Sequence, residues 1–84
     1  MYKVYVLRSQ KSGKRYVGMT SQPLNQKLKE HNDGTGFTLW TRGHRPYELV
    51  HSEIFETKTE ALKRERFLKS GDGRRVLDRA LSEK

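Results

Sequence analysis

The opening stretch, MYKVYVLRS, sets the tightest limit on the fold. Val4 and Val6 alternate with Tyr5 and Leu7, so a strand through them carries apolar side chains on both faces and needs cover on two sides. The polar turn QKSGK, with Gly13, and the resumed strand RYVGM make residues 2 to 19 a β-hairpin. Only 32% of the 84 residues are hydrophobic, so the core is thin and each apolar face matters. One domain over residues 1–84 is expected.

Downstream, Ser21 and Pro23 mark a helix start and Gly34 its end, with Leu24 and Leu28 as the apolar stripe. A glycine-containing loop follows, made basic by Arg42, His44 and Arg45. YELVHSEIFE reads as a third strand, and Thr57 with Glu60 as a capping box, in which hydroxyl and carboxylate each satisfy a free backbone donor. A helix over 58–69 is broken by SGDG, and a last amphipathic helix carries Val76, Leu77, Ala80 and Leu81. The order β-β-α-β-α-α predicts an α+β fold: a small three-stranded antiparallel sheet flanked by helices.

Charge narrows the partner. Eighteen Lys and Arg face ten Asp and Glu, a net +8 spread through the chain rather than gathered in a tail. That field favours polyanions, nucleic acid first, with an anionic membrane surface or an acidic protein as alternatives. No apolar run reaches membrane-spanning length, and no cysteine is present, which suits a cytoplasmic setting. It also removes disulfides and cysteine-ligated zinc, and three scattered histidines (His31, His44, His51) argue against a transition-metal site.

Several side chains admit a functional reading beside an ordinary structural one. On the second helix Ala61, Leu62 and Leu68 form one apolar stripe, and Glu65 lies in its middle. A core-facing carboxylate is costly unless paired or bound. It is either a structural ion pair with a nearby Lys or Arg, or an acid at the floor of a site. Tyr5 and Tyr16, on adjacent strands, are either an ordinary cross-strand pair or phenols that handle water or phosphate. Gly18 permits close approach of a backbone or ligand. Lys27 and His31 stand one helical turn apart beside the Leu24 and Leu28 stripe and share a face; they are either a solvated lysine and a structural histidine or part of a site. Two phenols, a cation, an imidazole and a carboxylate in a basic chain make a kit for cutting a phosphodiester with one divalent metal.

This pattern resembles the GIY-YIG nuclease superfamily, in its small single-domain branch related to the N-terminal nuclease domain of the excision-repair subunit UvrC. KVY at residues 3 to 5 and YVG at 16 to 18 resemble the two family tripeptides. LNQKLKEHN resembles the helix motif, and TRGHRPYELV and EALKRERFLKS the segments that follow. The resemblance implies Tyr5 as general base or water-orienting group, Tyr16 near the scissile phosphate, His31 assisting, and Glu65 as the single metal-binding carboxylate. Mg²⁺, or Mn²⁺, would be the cofactor. Lys27 aligns where the family has an arginine, keeping the charge without the planar fork. Lys3 stands where the family name has glycine.

The expected activity is therefore metal-dependent hydrolysis of DNA phosphodiesters, in repair or recombination. Lys14, Arg15, Arg42, His44 and Arg45 would contact the nucleic acid. The alternative is a binding module of the same fold with little cleavage, for which Lys27 is the main argument.

Overall fold

The computed structural model describes residues 1–33 and 46–82. In chain order the elements are β1 (Tyr2–Ser9), β2 (Arg15–Thr20), α1 (Leu24–Asp33), β3 (Tyr47–Phe55), α2 (Lys58–Lys69) and α3 (Gly71–Ser82). This is the predicted α+β order. The sheet runs β2-β1-β3 with both pairings antiparallel, so the doubly apolar first strand is the central one.

The alternation in β1 divides the interior into two cores. Val4, Val6 and Val17 pack with Ala61, Leu68 and Leu77 of α2 and α3, while Tyr5, Leu7 and Tyr47 pack with Tyr16, Leu24 and Leu28 on the α1 side. Val4, Tyr5, Val6 and Leu7 are all at most 2% exposed, which is why neither face of β1 tolerates polar residues. None of the described helices is long and apolar enough to cross a membrane.

Local chemistry fixes the connections. The buried Ser9 hydroxyl accepts from the backbone N–H groups of Lys11 and Ser12, and Gly13 closes the hairpin turn at φ +75°. Thr20, rather than Ser21, holds the turn into α1, its hydroxyl accepting from the Gln22 N–H. The Asn32 side chain then clamps the start of β3, donating to the Tyr47 carbonyl and accepting its N–H. Opposite the Val6/Leu7 step of β1 the register of β3 slips, His51 pairing with Val6 and Leu49 with Leu7.

At the start of α2 the Thr57 hydroxyl accepts from the Glu60 N–H, as expected. It also donates to the Glu60 carboxylate at 2.9 Å, so the acid takes the hydroxyl proton instead of a backbone donor. The second expectation to change concerns SGDG. Ser70 alone interrupts the helices: its N–H bonds back to the Phe67 carbonyl, and its side-chain oxygen accepts from the Gly73 N–H. Gly71 and Gly73 are already helical. Of the predicted apolar face of α3, Leu77 is buried but Val76 points outward, 41% exposed.

A polar cluster joins β3 to α2. Glu53 accepts two hydrogen bonds from Arg64, at 2.7 and 3.1 Å, and lies 2.8 Å from the His51 Nε2. Burial alone would raise the Glu53 carboxyl, but the bonds and charges of Arg64 and His51 outweigh it and hold it below its ordinary 4.5. A carboxyl lowered by folding adds stability that is present above its ordinary value and lost as pH falls through the folded-state value. Glu53→Gln is therefore expected to lower the melting temperature at neutral pH. It should also shrink the further drop between about pH 5 and about pH 3, read by thermal melts across that range.

Candidate functional site

Tyr5 and Tyr16 stand on the α1 face of the hairpin. Tyr5 pairs with Gly18 and Leu7 with Tyr16, so the two tyrosines are diagonal neighbours. Their ring centroids are 6.3 Å apart and their planes are tilted by 43°. Gly18 is what allows this: a Cβ there would lie 2.5 Å from both Cζ and Oη of Tyr5 and 3.0 Å from Cε2 of Tyr16. The Tyr5 ring therefore crosses the neighbouring strand over a residue without a side chain.

Both phenols are held in the neutral form. Burial raises the Tyr5 hydroxyl well above the usual range, helped by Tyr16, Glu65 and Glu30. Burial also raises Tyr16, followed by the charge of Glu65. A third phenol, Tyr47 at the start of β3, is raised by burial and by Tyr16. At neutral pH this cluster offers hydroxyls that donate and accept, not phenolates.

Helix α1, whose Leu24 and Leu28 pack on this core, carries a covered cation. The Lys27 side chain is only 12% exposed, and its Nζ lies 3.4 Å from the Glu30 carboxylate. It is thus held by packing and by an acid, unlike a solvated surface lysine. His31 lies on α1 one turn further on; its side chain falls outside the described residues, as do Arg42, His44 and Arg45.

Glu65 comes from α2. Its side chain is 19% exposed and meets Lys69 at 3.5 Å, so the expected basic neighbour is one turn along the same helix. That contact is long and half in solvent, the kind that contributes little. The Glu65 charge is felt by both Tyr5 and Tyr16, which places the carboxylate in their electrostatic environment. Among the described residues no three His, Cys, Asp or Glu cluster to hold an ion. A single carboxylate suits Mg²⁺, which keeps several of its waters and takes further oxygens from phosphate.

Lys14 and Arg15 lie elsewhere, in an open groove of about 830 Å³ lined also by Arg8, Arg74 and Asp78. The structure thus packs Tyr5 against Tyr16 in the field of Glu65, covers Lys27 beside Glu30, whose charge also reaches Tyr5, and sets Lys14 and Arg15 apart on a neighbouring surface. Sequence reasoning missed Glu30 and Tyr47. Glu30 was detectable from its spacing, three residues after Lys27 on the same helix.

Known proteins share this fold. The GIY-YIG catalytic domain matches residues 1–75, covering the hairpin, α1, β3, α2 and the first turn of α3. The chain belongs to the GIY-YIG family. Among its relatives, the UPF0213 protein of Clostridium perfringens is 42% identical over 66 residues, 79% of this chain and 68% of that one. The UPF0213 protein of Staphylococcus saprophyticus is 37% identical over 67 residues, 80% of this chain and 78% of that one. The solution NMR structure of the UPF0213 protein of Bacillus halodurans is similar at 31% identity and a TM-score of 0.56. That alignment covers 95% of this chain and 85% of that one. Membership gives this GIY-YIG chain a nuclease-type fold, with the two tripeptide motifs as the antiparallel pair β1 and β2.

Proposed function

We propose that this GIY-YIG domain is a metal-dependent endonuclease that nicks DNA. The observation that carries the reading is the packing of Tyr5 and Tyr16 over Gly18, with Glu65 within electrostatic reach and Lys27 covered beside Glu30, whose charge also reaches Tyr5. Neutral phenols orient an attacking water and hydrogen-bond the scissile phosphate without adding negative charge to it. The water oxygen forms the new bond to phosphorus, its proton passes to the His31 imidazole, and the bond to the leaving oxygen breaks. Lys27 offsets charge on the non-bridging oxygens. Glu65 would hold Mg²⁺, which when bound supplies charge stabilisation at phosphate oxygens. Raised phenol pKa values favour His31 over Tyr5 as the proton acceptor and leave Tyr5 the orienting role.

A specific observation also favours the second reading, a DNA-binding module with little cleavage: Lys27 is already ion-paired with Glu30 and lacks the arginine fork. Nicking of supercoiled plasmid in Mg²⁺ separates the two. The wild type is expected to nick, and Glu65→Gln to slow it by about 10²–10³-fold, the loss typical of removing one transition-state stabilising group. A wild type that binds but never nicks would establish the second reading.

A further inference from the structure

A wide concavity of about 830 Å³ is not lined by the tyrosines. It is the groove between the hairpin turn and α3, lined by Arg8, Lys14, Arg15, Arg74 and Asp78. A smaller hollow adjoins it, sharing Arg15 and Arg74 and adding Tyr16 and Lys69. The two form one basic channel that starts at Tyr16 and ends at the hairpin tip.

Its charges are unevenly engaged. Arg8 is held by Glu48, and Arg15 by Asp78 at 2.5 Å. Lys14 and Arg74 have no ion-pair partner among the described residues. The larger groove is mostly polar in its lining and is open, unlike the mostly apolar, enclosing pockets that take small molecules. An open basic channel fits an extended polyanion. Asp78, Leu81 and Ser82, on its far wall, lie past the residues that the GIY-YIG domain matches.

We propose that the phosphate backbone of the DNA leaving Tyr16 runs along this channel on Arg15, Arg74 and Lys14, and that Asp78 occupies Arg15 until a phosphate displaces it. This rests on the DNA-binding reading above. The exchange is feasible because the acid is weakly committed: the Asp78 side chain is 65% exposed, whereas that of Arg15 is 23% exposed and stays in place. An exposed ion pair contributes little. A phosphate offers the guanidinium two oxygens and releases counterions as it binds.

The test is fluorescence anisotropy of a short labelled DNA duplex, with EDTA present to prevent cleavage, over a series of salt concentrations. The double variant Lys14→Glu/Arg74→Glu is compared with Lys58→Glu/Lys63→Glu, which reverses the same charge on exposed positions of α2. The channel pair is expected to weaken binding at least about tenfold more than the α2 pair. It should also reduce the salt slope by about 2, one for each phosphate that is no longer neutralised. Asp78→Asn is expected to tighten binding about threefold, in line with freeing one exposed ion pair. Asp72→Asn, which removes the Arg75 pair elsewhere on α3, should leave binding nearly unchanged. Equal weakening by the two double variants would overturn the channel and leave DNA binding intact. Equal effects of Asp78→Asn and Asp72→Asn would overturn the displacement of Asp78. A wild type without salt-dependent binding would remove the DNA reading itself, and the channel with it.

Discussion

Gly73→Ala is expected to lower the melting temperature by roughly 12–24 °C, the shift that follows from about 3 kcal/mol in a domain of this size. The reason is a backbone contact. A Cβ at Gly73 would stand 1.8 Å from the Phe67 carbonyl oxygen and 2.5 Å from both Phe67 C and Leu68 Cα. None of these is the tip of a side chain that could swing aside, so the first turn of α3 has to lift off the end of α2. Leu77 lies one turn beyond Gly73 on α3 and is 2% exposed in the core with Val4, Val6 and Leu68. Lifting the helix therefore opens that core as well, which puts the cost at the upper end of overpacking losses of about 1–3 kcal/mol. A chain of 84 residues has about 4–13 kcal/mol in total, so the variant would be marginal. Gly71→Ala is the matched comparison, since nothing lies within 4 Å of a Cβ there. It is expected to be neutral or slightly stabilising, because alanine loses less chain entropy in a helix. Thermal melts of the two variants decide the point. Equal melting temperatures would show that α2 and α3 do not approach through Gly73.

What could be read from the sequence was whatever depends on local order. The doubly apolar MYKVYVLRS required a strand covered on both faces, and the helices packed on either side of β1 supply that cover. Helical periodicity alone put Glu65 among Ala61, Leu62 and Leu68, and the side chain is indeed mostly covered. Contacts between distant segments were not legible. Gly18 was a weak signal until the hairpin register set it opposite Tyr5, where its missing side chain makes room for the phenol. SGDG reads as a break because glycine is a poor helix former. Here Gly73 is kept inside a helix by the close approach of another helix, a tertiary demand that propensity does not contain. Asp78 had no distinguishing pattern either, since its meaning comes from Arg15, on the far side of the chain.

An effect on chemistry as large as that of Glu65 is expected at Lys27. Lys27→Met keeps the length and apolar stem of the side chain and removes its charge, and is expected to slow nicking by about 10²–10³-fold at saturating DNA. A lysine that only attracted the substrate would raise the DNA concentration needed while leaving the saturated rate unchanged, so the rate at saturation is the quantity to measure. One complication is structural. Glu30 lies 3.4 Å from Lys27 in a site where both side chains are largely covered, and removing the cation leaves that acid without it. Lys27→Met/Glu30→Gln relieves the imbalance. If the slow rate persists in the double variant, the charge of Lys27 acts on the reaction and not through Glu30. Lys27→Arg adds the planar fork at the same point and is expected to match or exceed the wild-type rate. Each remaining outcome is informative. A saturated rate unmoved by Lys27→Met would take the residue out of the site. An inert wild type that Lys27→Arg brings to life would mean that the chain keeps the geometry of a nuclease and has lost, in one side chain, the grip on phosphate that the chemistry needs.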